Sequence, residues 1–376
     1  MRIGIDAAPF AFEQTGIGRY LGSMLEEMQA LDASIEYLLY SPLPVTLPMR
    51  HGNWTERVVR SGFSQRPSLW AQIVLPSLLA SDMVDAFWAQ PTNLPISLKR
   101  RCLRVLTIHD LVSHVRPESM RFRTWLRMRA MLGPVARAAD EVIADSRATA
   151  IKAHQYLGIR HDRMHVVYAG TPAWCRPVPP GEARALLAEE VGLTQEYVLC
   201  VSTIEPRKDH LTLLQVMELV PHAPLLVLVG GEGWRCKHIL AAIRTHEKAG
   251  RVRYLGRVGD RLLPALYSAA KLSVYPSLYE GFGLPVLESM ACGCPVLSSD
   301  SSSLPEVGGD AARYFRVGHA ASLSSELRRL VSNDSELAEM SVAGFARATE
   351  FSFRRAAEKL LDVIRGGVAR LRQPRS

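Results

Sequence analysis

The sequence has no long hydrophobic run, and we expect it to carry no secretion signal. Its longest stretch without a charged residue, Pro67 to Ser81, is broken by Pro76 and falls short of the roughly 18 apolar residues that a membrane-spanning helix needs. Near the N-terminus, Asp6 stands where a signal peptide would have its apolar segment, so this region predicts a buried first strand instead. We therefore expect a cytoplasmic protein without a transmembrane helix.

Cysteine is also scarce. Six cysteines in 376 residues do not form a disulfide framework, and in the cytosol they are expected to be reduced. Only Cys292 and Cys294 are close together, and no second group of Cys or His stands at the spacing of a zinc site. We interpret this pair as small core residues and predict that the protein binds no metal.

The composition lacks the low hydrophobicity and high charge of a disordered chain, because 48% of the residues are hydrophobic and 22% are charged. The length of 376 residues fits two domains. The net charge of +8 favours an anionic partner, which could be a nucleic acid, a phosphorylated metabolite or an anionic membrane surface. Charge does not choose among these three.

Strand-like and helix-like runs alternate along almost the whole chain, which predicts an α/β protein with parallel sheets covered by helices on both faces. We predict one Rossmann-like domain over residues 1–175 and a second over residues 176–376, separated by the proline-rich segment that follows Tyr168. The predicted strands are Arg2–Asp6, Ile35–Tyr40, Asp85–Ala89, Leu103–Ile108, Glu141–Asp145, Met164–Tyr168, Tyr197–Ser202, Leu225–Gly230, Val252–Leu255, Leu272–Tyr275 and Val296–Ser298. The predicted helices of the first half are Ile17–Gln29, Leu69–Leu79, Ser119–Ala138 and Arg147–Leu157. The helical tail from Asp334 to Arg372 could pack its last helix back across the first domain.

The first candidate ligand loop contains Gly16 and Gly18, after the first strand. In doubly wound sheets, ligands bind beyond the carboxyl ends of the strands, so such loops are the places to search. The two glycines would let backbone N–H groups approach an anion. A tight turn from strand to helix explains the same residues equally well.

The second candidate loop contains Arg207 and Lys208, directly before a helix whose predicted N-cap is Asp209. Cations at a helix N-terminus oppose the helix dipole unless an anion lies between them and the N–H groups. This favours a phosphate site. The alternative is two solvated surface residues.

The third candidate loop runs from Glu280 into a helix that carries Glu288. Gly281 and Gly283 leave room for backbone donors, and Pro285 stands near the first helical position. Carboxylates accept hydrogen bonds from the paired hydroxyls of sugars and riboses. Two carboxylates beside an anion-binding turn therefore indicate a nucleotide sugar.

The fourth candidate is His109, followed by Asp110 at the end of a predicted central strand. A lone histidine is most often structural. At the carboxyl end of a central strand, however, it lies on the ligand side of the sheet.

Together these motifs resemble the retaining nucleotide-sugar glycosyltransferases of family four, which have the GT-B fold of two Rossmann-like domains facing a central cleft. The resemblance runs from Thr15 through His109 and the segment Glu205 to Lys208 to the E-x7-E motif that ends at Glu288. In its overall pattern of motifs, the sequence is most similar to bacterial mannosyl- and rhamnosyl-type transferases that build lipopolysaccharide or exopolysaccharide. The resemblance implies transfer of a hexose, best guess mannose from GDP-mannose, to a lipid-linked or oligosaccharide acceptor.

The resemblance also implies roles for individual residues. Arg207 and Lys208 would bind the donor diphosphate, and Glu288 would hold the ribose hydroxyls. Glu280 would contact the transferred sugar, and His109 would contact its 6-hydroxyl region or its reacting face. The implied catalytic residues are His109, Arg207, Lys208 and Glu280. The implied donor-binding residues are Gly16, Gly18, Arg207, Lys208, Val258 near the base, Glu280, Gly281, Phe282, Gly283, Leu284 and Glu288.

No D-x-D sequence occurs, although metal-dependent transferases of the other main fold rely on one. The resemblance therefore implies a metal-independent enzyme without a cofactor, in which Arg207, Lys208 and a helix dipole replace the metal. In the related family no protein nucleophile is generally accepted, and the departing phosphate is thought to deprotonate the acceptor. We assign no covalent role to Glu280.

Other functions remain open at this point. The donor could be a UDP-, dTDP- or ADP-sugar, and a GT-B epimerase would need no acceptor. The positive charge would also suit a nucleic-acid-binding protein, but the chain lacks a basic helix with interleaved aromatics. We expect no nucleic acid partner.

A basic segment suggests a contact with an anionic membrane. Between Lys99 and Arg129 there are nine basic residues and two acidic ones, with Phe122, Trp125 and Leu126 available for insertion. At about 100° per residue, however, the arginines of this segment scatter around a helix instead of sharing one face. Peripheral membrane contact is therefore a hypothesis.

Overall fold

The computed structural model describes residues 1–11, 16–45, 52–98 and 102–373. Two compact units are present. The first unit comprises Met1–Leu111, Arg123–Gly170 and Ser352–Ser376, and the second comprises Val112–Phe122 and Thr171–Phe351. Apart from the short segment Val112–Phe122, the chain therefore passes to the second unit at Thr171, five residues before the sequence-based boundary at 176, and returns to the first unit at Ser352.

In the described part of the first unit, seven parallel strands form one sheet. They are β1 Arg2–Asp6, β2 Glu36–Ser41, β3 Trp54–Val58, β4 Ala86–Ala89, β5 Leu103–Ile108, β6 Glu141–Ala144 and β7 Met164–Val166. The order across the sheet is β3-β2-β1-β4-β5-β6-β7. The sequence did not predict β3, because it lies at the edge, is only partly buried and has the mixed sequence WTERV in place of an apolar run.

The second unit, which is described throughout, contains a parallel sheet of six strands. They are β8 Tyr197–Val201, β9 Leu225–Val229, β10 Val252–Tyr254, β11 Leu272–Tyr275, β12 Val296–Ser299 and β13 Arg313–Phe315. Their order is β10-β9-β8-β11-β12-β13. Buried Leu, Val and Ile side chains on both faces of the central strands form the core, as continuous apolar strands predict.

The helices cover both sheets. In chain order they are α1 Ala8–Ala11, α2 Gly16–Leu31, α3 Pro67–Ile73, α4 Leu75–Ser81, α5 Val112–Val115, α6 Phe122–Ala138, α7 Arg147–Leu157, α8 Pro180–Val191, α9 His210–Leu219, α10 Lys237–Lys248, α11 Leu262–Ala269, α12 Leu284–Ala291, α13 Leu304–Gly308, α14 Ala320–Val331, α15 Asp334–Ala348 and α16 Phe353–Arg372. The predicted single helix over Leu69–Leu79 is wrong. Two helices meet at Val74 because Pro76 has no N–H to continue the first one. The predicted start of α6 at Ser119 is also wrong, since Pro117–Ser119 form a separate 3-10 turn.

The last helix, α16, belongs to the first unit, so the expectation that the tail packs back there is confirmed. Gly367 makes this packing possible, because a Cβ at this position would lie only 2.6 Å from Leu103 of β5. Arg365 pairs with Asp32, just after α2, at 2.6 Å and Arg372 pairs with Asp85, just before β4, at 2.6 Å, which ties the C-terminal half of the helix to loops of the first unit. Of the helices in the described ranges, none is long and apolar enough to span a bilayer.

Candidate active site

Two of the predicted loops come together at the carboxyl edge of the second sheet. The first follows β8 and contains the 3-10 turn Pro206–Lys208, and the second follows β11 and leads into α12. A backbone hydrogen bond of 2.8 Å from Leu278 N to Arg207 O joins them. They meet because β8 and β11 are neighbours in the sheet.

The carboxylate of Glu280 is the centre of this arrangement. Its Oε1 atom accepts hydrogen bonds from Lys208 Nζ at 2.5 Å, from the Tyr275 hydroxyl at 2.9 Å and from the Ser277 hydroxyl. Its Oε2 atom accepts from Arg207 Nη1 at 2.7 Å. Burial raises the pKa of Glu280, but the charges of Arg207 and Lys208 outweigh it and lower the pKa to about 2. Glu280 is therefore an anion throughout the neutral range and accepts hydrogen bonds.

Arg207 and Lys208 are not the solvated surface residues of the alternative interpretation. The ammonium of Lys208 is buried and donates to the Tyr275 hydroxyl at 2.8 Å. Burial and the neighbouring Arg207 lower the pKa of Lys208, while Glu280 opposes this shift. Arg207 also pairs with Glu205 at 2.7 Å. Two cations thus face two carboxylates in a place with little access to water, where electrostatic forces are strong.

Asp209 stands at the N-cap of α9, as predicted, but its side chain does not cap the helix. The carboxylate instead accepts a hydrogen bond from the Thr212 hydroxyl at 2.9 Å. Its φ of 52° puts the backbone in the left-handed region, which turns the chain sharply after Lys208.

Glu288 lies on α12, one helical turn beyond its start, and is buried. The Tyr267 hydroxyl donates to its Oε2 atom at 3.0 Å. The turn before the helix requires glycine, because Gly283 has a φ of 115° and a Cβ there would lie 2.7 Å from Leu304. Pro285 occupies the start of the helix, as predicted. Glu280 and Glu288 therefore flank the turn that Gly281, Phe282, Gly283 and Leu284 form.

Two serines that the sequence analysis missed hold this turn in place. Ser302 accepts from the Glu280 backbone N–H at 2.8 Å and donates to the Glu280 carbonyl at 2.8 Å. Ser303 donates to the Phe282 carbonyl at 2.7 Å. The run of serines after β12 was an available signal, because it follows the carboxyl end of a strand next to β11.

Val258 lies in the turn after β10, partly buried against the core of the second unit. Gly256, with a φ of 65°, starts this turn, and its carbonyl accepts from Gly230 N at 2.8 Å. The side chain of Arg257 lies over Gly231, where a Cβ would come within 2.4 Å of its Nε atom. The turn thus adjoins the loop after β9, and its predicted contact with a base stays a prediction.

In the first unit, His109 lies between two acceptors. Its Nδ1 atom is 2.6 Å from Asp145 Oδ2, and its Nε2 atom is 2.7 Å from Gln90 Oε1. Burial lowers the pKa of His109, but Asp145 and, to a smaller extent, Asp110 raise it above its ordinary value. The carboxylate of Asp145 therefore favours the protonated form of the ring.

Gln90 and Asp145 were not singled out from the sequence. Both follow directly on strands, β4 and β6, that flank β5 in the sheet, so their position after a strand was the available signal. Asp6, at the end of β1, is a further polar residue at the carboxyl edge of this sheet. It accepts from Asn93 Nδ2 at 2.9 Å, and burial raises its pKa to about 6 despite this hydrogen bond.

We expect Asp145→Asn to lower the pKa of His109, because it removes the charge that opposes burial. The pH dependence of the imidazole NMR signals measures this directly. Since Asp145 raises the pKa of His109 in the folded state, the ion pair stabilises the fold below the pKa of histidine in the unfolded chain. This contribution is lost as the pH rises through the folded-state pKa of His109. The control is Asp162→Asn, which removes an exposed carboxylate paired with Arg160. An unchanged pKa in the Asp145 variant would contradict the ion pair.

Gly16 and Gly18 open α2. Among the described residues, a Cβ at Gly16 would meet no atom within 4 Å, and one at Gly18 would meet only Pro9 O at 3.7 Å. Packing against these residues requires neither glycine, and neither has a positive φ. The predicted contact of this loop with a phosphate stays a prediction, and Thr15 lies outside the described residues.

Cys292 and Cys294 are buried in the core of the second unit, the position that small apolar residues take. Within the described residues, no three His, Cys, Asp or Glu side chains form a group that could hold a metal ion. Metal independence stays a prediction.

Known proteins match this chain over both units. A family model described as glycosyltransferase family 4 matches residues 15–173, and one described as glycosyl transferases group 1 matches residues 188–347. The chain is 32% identical to O-antigen chain mannosyltransferase B of Escherichia coli over 388 aligned residues, which cover 97% of this chain and 100% of the relative.

Solved structures show the same fold. Sucrose-phosphate synthase from Thermosynechococcus elongatus superposes with a TM-score of 0.80 at 19% identity, covering 98% of this chain and 99% of that one. Anabaena HepE in complex with UDP-glucose superposes with a TM-score of 0.74 at 19% identity, covering 97% and 99%. The chain belongs to family 4 of the bacterial glycosyltransferases, and its two Rossmann-like units are those of the GT-B fold.

Proposed function

We propose that this glycosyltransferase moves mannose from GDP-mannose, with retention of configuration, to a lipid-linked or oligosaccharide acceptor in the synthesis of a bacterial surface polysaccharide. The observation that carries the proposal is the buried cluster of Arg207, Lys208 and Glu280 beside the turn into α12. The name of the Escherichia coli relative, an O-antigen chain mannosyltransferase, supports the sugar and the type of product.

In the proposed reaction, Arg207 and Lys208 stabilise the negative charge that grows on the diphosphate as the bond to the anomeric carbon breaks. Positive charge held in a buried place is preorganised, so it stabilises the leaving group without reorganising water. The sugar meanwhile gains oxocarbenium character. Catalysis in this proposal is therefore mainly positioning and electrostatics.

Glu280 takes part as a hydrogen-bond acceptor. Its low pKa, about 2, excludes a role as a general acid near neutral pH. Without a donor, both of its oxygens accept from the two cations. When a donor binds, its sugar hydroxyls also donate hydrogen bonds to these oxygens. Arg207 and Lys208 then form ion pairs with the diphosphate as well as with Glu280. The departing phosphate, and no side chain, deprotonates the acceptor in this proposal.

The donor is tested by the thermal stability of the protein with GDP-mannose and with UDP-, dTDP- and ADP-sugars. A ligand at a hundred times its Kd stabilises the fold by about 2.7 kcal/mol, so the preferred nucleotide gives a clear rise in Tm. We expect the largest rise with GDP-mannose. The complex of Anabaena HepE with UDP-glucose is the reason to include UDP-sugars, and a larger rise with one of them would overturn the choice of base. Product analysis with donor and no acceptor separates a transferase from an epimerase.

We expect transfer to survive removal of divalent metal ions. The chain has no D-x-D sequence, and two side-chain cations occupy the place proposed for the diphosphate. Initial rates with and without EDTA measure this. Complete loss of activity with EDTA, restored by Mg²⁺ or Mn²⁺, would contradict metal-independent transfer.

A lipid-linked acceptor would bring the enzyme to the inner face of the cytoplasmic membrane. Peripheral contact with anionic lipid is therefore part of the proposal. The net charge of +8 supports it.

A further inference from the structure

Three arginines of the first unit line one groove of about 310 Å³. Arg66 stands just before α3, and Arg123 and Arg127 lie one turn apart on α6. The remaining lining residues are Ser68, Leu69 and Thr124. We refer to this place as the arginine groove. None of the described residues that line it is acidic.

The charge of the arginine groove is not balanced by the protein. Several other arginines of the first unit are paired with carboxylates: Arg2–Glu36, Arg57–Asp82, Arg104–Asp140, Arg160–Asp162, Arg365–Asp32, Arg370–Glu141 and Arg372–Asp85. Among the described residues, none forms an ion pair with Arg66, Arg123 or Arg127. Three like charges around one groove repel each other, and an external anion would relieve this repulsion.

Exposed apolar side chains stand beside the groove. Leu69 and Ile73, one turn apart on α3, are 38% and 53% exposed, and Leu126 on α6 is 51% exposed. At about 100° per residue, Leu126 falls within about 60° of Arg123 and shares its face of the helix. A free phosphate ion would leave these apolar side chains exposed to water, whereas the glycerol and acyl region of a lipid would cover them.

We infer that the arginine groove binds the phosphate of an anionic phospholipid at a membrane surface, with Leu69, Ile73 and Leu126 entering the outer part of the bilayer. Guanidinium groups suit this ligand because they donate pairs of hydrogen bonds to phosphate oxygens. The inference names the surface for the peripheral contact proposed above and rests on that proposal. It also answers the objection from the sequence, because the basic face is assembled from two helices and does not require all arginines of α6 to share one side.

Sedimentation of the full chain with vesicles tests the inference. We expect binding to vesicles of phosphatidylcholine with phosphatidylglycerol and no binding to phosphatidylcholine alone. The double variant Arg123→Ala/Arg127→Ala should bind the anionic vesicles roughly 25-fold more weakly, since each basic residue near an anionic surface contributes about fivefold. The matched control is Arg129→Ala/Arg137→Ala, which removes the same charge from exposed positions of the same helix outside the groove and should stay within about threefold of wild type.

Equal weakening by both double variants would overturn the groove in favour of unspecific charge attraction. Absence of binding to the anionic vesicles would overturn the inference outright. Leu126→Ser tests the apolar part, and unchanged vesicle binding in this variant would overturn insertion. Glycerol phosphate in solution distinguishes the sources of the phosphate. Tight binding of it without any preference for anionic vesicles would identify a soluble ligand and overturn the membrane contact.

The failure of this inference can be told from failure of the proposed function. Vesicle binding is measured without donor or acceptor, and donor binding is measured without vesicles. We expect Arg123→Ala/Arg127→Ala to keep the wild-type rise in Tm with the donor nucleotide. Loss of that rise would mean that the arginines act on the donor site and would overturn their role as a docking surface.

Discussion

Replacing Lys208 with alanine is expected to lower the rate of glycosyl transfer by about a hundredfold. Loss of one charged contact to the leaving group raises the barrier by on the order of 3 kcal/mol. The ammonium is buried and bonded to Glu280 and Tyr275, and a water molecule that enters the space left by the substitution would not supply the lost positive charge. Initial rates with saturating donor measure the effect. Wild-type turnover in this variant would contradict the assignment of Lys208 to the diphosphate.

The same substitution removes one partner of a buried ion pair, which is expected to destabilise the fold by about 3 to 5 kcal/mol. Thermal unfolding of the variant must therefore accompany the rates. A suitable control is Lys271→Ala, because the ammonium of Lys271 is also largely buried and pairs with Glu196 and Asp334. If the Tm of Lys208→Ala stays above the assay temperature and Lys271→Ala keeps transfer near the wild-type rate, the loss in Lys208→Ala is due to chemistry and not to unfolding.

Glu280→Gln and Glu288→Gln are expected to impair different properties of the enzyme, the first the rate of transfer and the second the affinity for the nucleotide. Glu288 is placed to accept from ribose hydroxyls, so its substitution should weaken binding of the bare nucleotide diphosphate by roughly tenfold to a hundredfold, the range for hydrogen bonds to charged groups. Glu280 instead accepts from Arg207 and Lys208. Removal of its charge leaves both cations available to the diphosphate, so nucleotide affinity should not fall while transfer drops by a similar factor.

Calorimetric titration of GDP into both variants separates these roles. Lower affinity in Glu280→Gln together with wild-type affinity in Glu288→Gln would reverse the two assignments. Glu336→Gln serves as a control in the same unit, because its carboxylate pairs with Arg313 and Arg329 and not with the predicted donor residues. Tyr267→Phe removes the hydroxyl that donates to Glu288 and should cause a smaller loss of GDP affinity than Glu288→Gln.

The pH dependence of stability provides an independent check on the ion pair. Because the folded-state pKa of Glu280 is lowered to about 2, its ion pairs stabilise the protein above the pKa of the unfolded carboxyl, and this contribution is lost as the pH falls toward 2.

Much of the fold was readable from the sequence. Strands such as β9, Leu225–Val229, are continuous apolar runs because both faces of a parallel sheet are buried, and such runs are recognisable locally. The turn into α12 was equally readable, since glycine suits the left-handed conformation of Gly283 and proline is favoured in the first turn of a helix, where Pro285 lies. The edge strand β3 was not, because half-buried edge positions tolerate polar residues such as Thr55 and Glu56.

The sequence also identified the chemistry of the site, because loops after parallel strands lie at one edge of a sheet whatever the order of the strands. It therefore named Arg207, Lys208, Glu280 and His109 without showing their partners. Which side chains meet was decided by the order of the strands in space. Glu280 meets Lys208 across 72 residues of chain, and His109 meets Asp145 across 36, because β8 lies beside β11 and β5 beside β6.

The sequence predicted which residues carry charge, whereas the tertiary structure determined which of these charges are paired and buried. The sequence predicted that Arg207 and Lys208 bind a phosphate. In the structure both form ion pairs with the carboxylate of Glu280, and this cluster has little exposure to water. The fold also brought Arg66 beside Arg123 and Arg127, although 57 residues separate the first two in the chain. The physical reason is common to these cases. Backbone conformation depends on near neighbours in the chain, whereas an ion pair, a shifted pKa or an unbalanced charge depends on distances that exist only after the sheets and helices have packed.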